Sequence, residues 1–135
     1  MESTIKAVIP AAALGKPITI YGDGKQVGDV RFVDVLVDAY EIFIDRASGL
    51  NGSVLNMGGG PRFTLSLLEL PAILEKGLAQ KISVSYADWR PADQRVYISG
   101  IQKARKKLSW EPKVGPKVGV GRILAWIRSQ SFAKK

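Results

Sequence analysis

The sequence has no cysteine and no histidine among its 135 residues. Without cysteine, the chain has no disulfide, no thiolate nucleophile and no cysteine-type zinc site. Without histidine, it also lacks the side chain that most often serves as a general base or a metal ligand near neutral pH. These two absences exclude most catalytic constellations and most transition-metal sites.

The sequence also lacks long apolar runs. None approaches the roughly 20 residues that a helix needs to cross a bilayer, and the N-terminus lacks the basic-then-apolar order of a signal peptide. We therefore expect a cytoplasmic protein without a membrane segment. A chain of this length with 46% hydrophobic residues buries roughly 65–70% of its unfolded surface, which predicts one domain over residues 1–135.

Acidic residues are scarce in the C-terminal quarter. Residues 101–135 contain ten lysines and arginines against one acid, Glu111, in a chain whose net charge is +8. Such asymmetry is typical of an arm that binds nucleic acid or another polyanion. A solvated helix face with a frayed end has the same composition and is the commoner case, so both interpretations stay open.

Apolar spacing predicts three helices in the first eighty residues. The first covers residues 5–13, although Pro10 should end or kink it before the stop at Gly15. The second, over residues 33–45, is expected to turn one apolar stripe inward: Val33, Leu36, Val37, Tyr40, Phe43 and Ile44. In the third, Ser66 and Glu69 have the spacing of a capping box, and Pro71 requires that the helix kinks or starts later.

Two basic helices are predicted in the C-terminal part. One follows Ser99, which could cap it, and carries Ile101, Ala104 and Leu108 inward. The last bears Ile123, Leu124 and Ile127. Between them, a Pro- and Gly-rich segment over residues 113–121 is expected to be irregular.

Short extended segments alternate with the helices. The sequence around Gly22-Asp23-Gly24 predicts a hairpin, and residues 53–57 a buried strand leading into the turn Gly58-Gly59-Gly60. Residues 82–86 predict a strand with one buried face, and residues 96–98 a short extended piece. The triple glycine lacks the Lys-Ser/Thr of a phosphate loop, which favours a plain turn. The sum is a mixed α/β fold, with a small sheet of short strands and about five helices.

The segment DWRPADQRVYIS, residues 88–99, carries the pattern closest to ligand chemistry. The fork of Arg90 or Arg95 suits a bidentate diphosphate contact, and Asp93 could accept hydrogen bonds from the vicinal hydroxyls of a ribose. Pro91 keeps this connection out of regular structure, so its side chains can converge. The same spacing also suits a surface salt-bridge cluster, and the pattern alone does not decide between the two.

Six ordered motifs resemble the C-terminal portion of extended short-chain dehydrogenase/reductases, the NAD-dependent sugar-nucleotide epimerases and dehydratases. They are GKPITIYGDGKQV-D, FVD-LVDAY, VLNMGGGPRFTLSLLEL, WRPADQRVYIS, KA-KKLSWEPKV and ILAWI. The tryptophan before Arg90 most resembles the CDP-paratose/CDP-tyvelose epimerase branch. The resemblance covers nearly the whole chain and implies the substrate-binding lobe without the dinucleotide-binding Rossmann half.

This resemblance implies roles for individual residues. Thr19 and Tyr21 would lie against the base of a nucleotide sugar, and Arg90 and Asp93, with Arg95 in the same motif, would meet its diphosphate and ribose. It implies no catalytic residue here, because the family's glycine-rich loop and catalytic Ser/Thr are not in this sequence. Only Tyr21 and Lys25 have the spacing of the Tyr-x-x-x-Lys pair, and they bracket a turn that the resemblance assigns to the substrate lobe, so we interpret this match as coincidence. NAD and hydride transfer are expected only where a Rossmann half is supplied, and no metal is expected.

The chain departs from the family at Gly28, which stands where the Q-x-R-D motif has a diphosphate-binding arginine. Losing one charge-assisted contact costs about 1.5–3 kcal/mol, or roughly ten- to hundredfold in affinity. We therefore expect a truncated or stand-alone relative that binds nucleotide sugars weakly. It should form a homo-oligomer or pair with a complementing chain to cover its apolar faces. The alternatives are a basic binding module for nucleic acid or another polyanion, and a ligand-free structural domain.

Overall fold

Five helices account for much of the chain. A computed structural model describes residues 2–130, with side chains from Ile5 onward, so Lys134 and Lys135 of the basic segment lie outside the described residues. The helices are α1 Glu2–Ala13, α2 Val33–Asp45, α3 Glu69–Leu78, α4 Gln102–Leu108 and α5 Pro116–Ser129, with short 3-10 turns at Ala47–Gly49 and Pro61–Phe63. Across residues 2–130, every helix is too short or too polar to span a membrane.

The strands form two small sheets. They are β1 Ile18–Tyr21, β2 Val27–Asp29, β3 Thr64–Ser66, β4 Val84–Ala87 and β5 Val96–Tyr97. β1 pairs with β4 in parallel, with Ile18 opposite Val84 and Tyr21 opposite Ala87. β2 is the central strand of the other sheet, antiparallel to β3 and parallel to β5. The predicted mixed α/β fold with short strands and five helices is confirmed.

The hairpin predicted around Gly22-Asp23-Gly24 is wrong. The two glycines do adopt positive φ angles, +85° and +76°, but β1 and β2 belong to different sheets. The Gly22 N–H donates to the carbonyl of Ala87, and the Leu68 N–H donates to the carbonyl of Gly24. Turn residues fix the local bend but not the pairing of the flanking strands, which here is decided by segments more than 35 residues away.

Two hydrophobic clusters form the core. The first joins α1, α3 and α5 to β1, with Ile9, Leu74 and Leu124 among its buried members. The second joins α2 and α4 to the buried side chains of Leu50 and Trp110. The Trp110 Nε1–H donates to the Val35 carbonyl over 3.3 Å, which satisfies the one polar atom of this buried indole.

Prolines interrupt the helices less than the sequence suggests. α1 continues through Pro10, and the Leu14 N–H donates to the Pro10 carbonyl over 3.0 Å, although the proline nitrogen itself has no hydrogen to donate. α3 begins at Glu69, so Pro71 lies in the first turn, where its nitrogen needs no helical acceptor. The sequence predicted either a kink or a later start of this helix, and the structure has the later start.

The predicted irregular segment over residues 113–121 is wrong from Pro116 onward, because α5 begins there. Proline is well tolerated at the first helical position, since its missing N–H would have no partner in the helix. Gly119 is buried, and a Cβ on it would lie 3.5 Å from the Cβ of Phe32. A side chain as small as alanine would therefore make only an ordinary van der Waals contact at this position.

The buried face of α2 also differs from the prediction. The buried residues are Val35 and Ala39, whereas Val33, Val37, Tyr40 and Ile44 are 46–71% exposed. Ala39 belongs to the same buried cluster as Ala104 of α4. Small side chains let two helices approach closely, so the side of α2 with the smaller residues faces the core.

The predicted buried strand at residues 53–57 is likewise wrong. The segment has no ladder partner within residues 2–130, and Val54 is 77% exposed. Leu55 and Met57 pack against the second cluster, so one side of the segment is covered and the other is open.

The predicted capping box before α3 is confirmed. The Ser66 N–H and hydroxyl donate to Glu69 Oε2 over 2.7 and 2.8 Å, and the Glu69 N–H donates to the Ser66 hydroxyl over 3.2 Å. The backbone hydrogen bond from Ser66, followed by its hydroxyl, lowers the pKa of Glu69 below its ordinary value of 4.5. The carboxylate is therefore the favoured form in the folded chain.

Replacing Glu69 should change the acid dependence of stability. A group whose pKa is lowered by folding stabilises the fold fully above its unfolded pKa, and this stabilisation is lost as pH falls through the folded pKa. Glu69→Gln should therefore lower the free energy of unfolding at pH 7, and its difference from the wild type should shrink as pH falls below 4.5. Urea denaturation between pH 3 and 7 measures this. The control is Glu41→Gln, an exposed carboxylate of α2, and an equal effect there would contradict the assignment.

Candidate functional site

The parallel pair of β1 and β4 brings two candidate segments to one edge. Tyr21 is the last residue of β1, and the chain leaves β4 at Ala87 directly into residues 88–95. Open parallel sheets commonly bind ligands outside the carboxyl ends of their strands. The ladder thus places the two segments that the sequence singled out, more than 60 residues apart, next to each other.

Two arginines of residues 88–95 stack on aromatic rings. The Arg90 guanidinium carbon lies 3.9 Å from the centre of the Tyr21 ring, and that of Arg95 lies 4.9 Å from the centre of the Trp89 ring. Each stack at an exposed site is worth about 0.5–1 kcal/mol. Stacking uses the face of the guanidinium, and its N–H donors lie in the plane. Among residues 5–130, whose side chains are described, the Arg90 guanidinium forms no hydrogen bond. Arg90 is exposed, so a ligand can reach its in-plane donors.

Trp89 packs directly on the turn that follows β1. A Cβ on Gly22 would lie 2.6 Å from two ring atoms of Trp89, closer than real Cβ contacts allow. Gly22 also has a φ of +85°, which favours glycine. Glycine is therefore required here both by the backbone and by the indole.

Gln26 is a residue at this edge that the sequence did not reveal. Among the residues whose burial is described, Gln26 and Ser99 are the two buried polar ones, and the Gln26 Nε2–H donates to the Tyr21 carbonyl. Its Oε1 has no partner among the described residues. The only sequence signal is its place in GDGKQV, where periodicity does not separate a buried amide from a surface one.

Asp93 and Thr19 lie at the same edge with different surroundings. The Asp93 N–H donates to the Arg90 carbonyl over 3.2 Å, closing a turn in which Ala92 has a φ of +61°. Thr19 lies two residues before Tyr21 and therefore on the same face of β1. Its hydroxyl shares a 3.0 Å hydrogen bond with that of Ser85 on β4. All five predicted residues thus lie along β1 or the connection after β4.

A cavity of about 760 Å³ lies beside this edge, between α1, β2 and α5. The five predicted residues do not line it. Gln94, between Asp93 and Arg95, does, and so connects the cavity to the arginine segment. The other polar residues and glycines that line the cavity include Lys6, Gly28, Asp29, Arg31 and Ser99. The signal that could have revealed it was Gly28, because a glycine in place of a long side chain leaves space.

The charged residues of β2 and its exit hold the glycine turn. Asp29 Oδ2 accepts a 3.0 Å hydrogen bond from the Gly60 N–H, and Arg31 Nη1 donates to the Met57 carbonyl over 2.8 Å. A Cβ on Gly58 would lie 2.3 Å from that same Asp29 oxygen. The triple glycine is therefore a close-packed turn, as predicted. Among residues 5–130, whose side chains are described, no three metal-ligating side chains come together.

Comparison with known proteins finds relatives of one kind, epimerases and dehydratases that act on nucleotide sugars. No protein-family model matches the chain. It is 36% identical over 124 residues to CDP-paratose 2-epimerase of Salmonella typhi, covering 92% of this chain and 37% of that protein. It is 30% identical over 133 residues to dTDP-glucose 4,6-dehydratase of Xanthomonas campestris pv. campestris (strain ATCC 33913), covering 93% and 37%. The chain thus spans little more than a third of the length of these relatives.

Solved structures give the same picture. The chain superposes on UDP-glucose 4-epimerase of Thermotoga maritima, solved with UDP-glucose, with a TM-score of 0.79 and 25% identity over 92% of this chain and 38% of that one. An epimerase of Methanothermobacter thermautotrophicus gives a TM-score of 0.83 and 26% identity over 93% and 37%. The partial coverage is the same in sequence and in structure.

Substituting Gly22 tests the packing at this edge. Gly22→Ala should lower the free energy of unfolding by about 3 kcal/mol or more, because a left-handed backbone costs about 1–2 kcal/mol for alanine and displacing a packed ring costs about 1–3 kcal/mol. The matched control is Gly15→Ala, whose φ is +70° but whose Cβ would meet nothing within 4 Å. That variant should show only the backbone cost. Urea denaturation and tryptophan emission measure both, and equal costs would contradict the Trp89 contact.

Proposed function

We propose that this chain, which matches the C-terminal part of an extended short-chain dehydrogenase/reductase of the sugar-nucleotide epimerase and dehydratase family, binds the nucleotide diphosphate of a nucleotide sugar. The binding edge is the carboxyl end of β1 and β4. Tyr21 and Thr19 lie against the base, Arg90 and Arg95 contact the diphosphate, and Asp93 accepts from the ribose.

The observation that carries this proposal is the stack of Arg90 on Tyr21. An aromatic ring beside an arginine offers a flat surface for a base and in-plane donors for phosphate oxygens. Stacking also restricts the guanidinium before a ligand arrives, which reduces the entropy lost on binding. The T. maritima relative is solved with UDP-glucose. That ligand contains a base, a ribose and a diphosphate, the three parts that the proposal assigns to residues of this chain.

The neighbouring cavity provides space for the part of the ligand that extends beyond the binding edge. Its volume of about 760 Å³ falls in the range of roughly 300–1,000 Å³ typical of small-molecule sites. Gln94 joins it to the arginine segment, and Gly28 and Ser99 lie on its wall. We place the sugar or the distal phosphate here. Hydride transfer and NAD binding would require residues outside this chain, so binding without turnover is the expected activity of the chain alone.

Polyanion binding is the second candidate, and the observation favouring it is the basic last turn of α4, with Arg105, Lys106 and Lys107. Several of the basic side chains are already engaged within the fold. Arg105 pairs with Glu111 at 2.5 Å, Arg122 with Asp34 at 3.6 Å, and Arg128 donates to the Gly77 carbonyl over 2.7 Å. Polyanion binding would weaken steeply with salt, whereas nucleotide-sugar binding should depend on base and sugar identity.

Removing Arg90 should weaken nucleotide-sugar binding. Arg90→Ala is expected to raise the Kd by roughly ten- to hundredfold, the cost of one charge-assisted contact. Calorimetric titration with CDP-, dTDP-, UDP- and GDP-sugars measures it. Arg62→Ala is the matched control, because Arg62 also stacks on a ring, that of Phe63 at 5.2 Å, but on another part of the fold. An equal loss in both variants, or no binding by the wild type at millimolar ligand, would sink the proposal and favour the ligand-free alternative.

Restoring a cation at position 28 should strengthen binding. Gly28 lines the cavity on β2 opposite Tyr97 of β5, and the resemblance implies an arginine there. Gly28→Arg should lower the Kd for nucleotide diphosphate sugars by roughly tenfold, since it adds one charge-assisted contact. Gly28→Met separates charge from size and should not improve binding. A tighter Kd for both variants would argue that filling the cavity, and not phosphate recognition, is responsible.

A further inference from the structure

Gln26 is a buried amide beside the candidate binding edge. The residue is 1% exposed, although glutamine is mostly a surface residue. It lies between the turn that follows β1 and the first residue of β2, where the chain passes from one sheet to the other. A side chain at this junction can act on both sheets at once.

The Gln26 side chain supplies a donor that the β1 ladder lacks. The N–H groups of Ile18 and Gly22 donate to carbonyls of β4 and of the residue before it, over 2.9 and 2.8 Å. Because the backbone groups of a strand alternate in direction, those of Tyr21, an odd number of residues from both, point away from β4. Among residues 2–130, β4 is the only strand that pairs with β1, and the Gln26 Nε2–H donates to the Tyr21 carbonyl on the open side. Gln26 therefore stands in for a third strand at the end of β1.

The backbone next to Gln26 is fixed to the arginine segment. The N–H of Val27, the following residue, donates to the carbonyl of Arg95 over 2.9 Å. Arg95 lies in the same connection as Arg90, whose guanidinium carbon is 3.9 Å from the centre of the Tyr21 ring. The Gln26 amide thus ties the backbone of Tyr21 to the segment that carries the arginine stacked on its ring.

The second polar atom of the amide argues against a role in packing alone. The Gln26 Oε1 is buried and has no hydrogen-bond partner among the described residues. An unpaired buried polar atom destabilises a fold, and an apolar side chain of the same length would avoid it. A local rule broken in this way is typical of a functional position. The hydrogen bond to Tyr21 is what an apolar side chain could not supply.

We infer that Gln26 is a positioning residue of the binding edge. Its amide fixes the Tyr21 backbone and so the direction of the Tyr21 ring, and the ring orients the Arg90 guanidinium before a ligand binds. A donor that is already held in place loses less entropy on binding. The inference rests on the proposed function for the ligand, a nucleotide diphosphate, but the stack can be measured without any ligand.

Gln26→Met tests this in the whole chain, because it keeps the length of the side chain and removes the donor. The Arg90 Cδ protons, shifted upfield in the wild type by the Tyr21 ring, should lose most of that shift in the ligand-free variant. The Kd for CDP-, dTDP-, UDP- or GDP-sugars should rise roughly three- to tenfold, since Arg90 is no longer held in advance. In an Arg90→Ala background the same substitution should leave the Kd unchanged, because its effect passes through Arg90.

Gln80→Met is the matched control. The Gln80 Nε2–H also donates to a backbone carbonyl, that of Ala12 over 3.0 Å, but away from the binding edge. This variant should change neither the Arg90 shift nor the Kd. An unchanged Arg90 shift in folded Gln26→Met, an equal loss in the control, or a further rise of the Kd in the Arg90→Ala background overturns the inference.

Gln26→Glu adds a rescue by protonation and decides the matter if Gln26→Met does not fold. A protonated carboxyl group can donate to the Tyr21 carbonyl, whereas a carboxylate cannot. The Arg90 shift of this variant should therefore be present at about pH 5 and lost at about pH 8, since burial raises the pKa of a carboxyl group. The charged groups already at this edge are the same in the wild type, whose Arg90 shift at both pH values is the reference: Asp23, Lys25, Arg90, Asp93 and Arg95.

An Arg90 shift of Gln26→Glu that is absent at both pH values, or present at both, contradicts the positioning role. Nucleotide-sugar titration is a separate measurement. An Arg90 shift that depends on the Gln26 donor in a chain that binds no nucleotide sugar supports the positioning of Arg90 and counts against the proposed function alone.

Discussion

The parallel ladder between β1 and β4 is the constraint on which the candidate site depends. Ile18 and Val84 pair across 66 positions of sequence, and a parallel pair requires a long crossover that returns the chain to the same side. Here the crossover contains β2 and β3 of the second sheet, together with α2 and α3. Because both strands end at one edge, Tyr21 and the arginine segment meet there. Without the ladder, nothing would hold the Arg90 guanidinium next to the Tyr21 ring.

The sequence was informative wherever the controlling interaction is local. Helix α2 was predicted at its observed bounds, because six apolar positions at helical spacing define a helix whatever it packs on. The capping box of Ser66 and Glu69 is also local, and its three hydrogen bonds form as the spacing requires. The buried face of α2 was not predictable in the same way. Both sides carry apolar residues, and the choice depends on Ala39 joining Ala104 of α4 in the same cluster.

The other features could not be predicted from the sequence, because they depend on pairing between segments that are far apart along the chain. The Gly22-Asp23-Gly24 turn has the backbone of a hairpin turn, yet its flanks pair with β4, β3 and β5. Arg90 and Asp93 were singled out by residue type, and their relation to Tyr21 came from family resemblance and not from spacing. The cavity was missed because its walls come from α1, β2 and α5, three segments whose patterns are ordinary one at a time. Local rules fail most clearly at residues 53–57 and on the side of α2 where Val33, Val37, Tyr40 and Ile44 are exposed.

The cavity beside the candidate binding edge reaches the extended segment 53–57 at Arg31. The Arg31 side chain lines the cavity, and its guanidinium donates to the carbonyl of Met57, the last residue of that segment. Asp29, two residues earlier on the same wall, holds the Gly60 N–H three residues beyond Met57. An anion drawn to Arg31 would compete with the Met57 carbonyl for the same donors, and loss of that hydrogen bond would loosen the end of the segment. Ligand binding in the cavity and the order of residues 53–57 would therefore be coupled through Arg31.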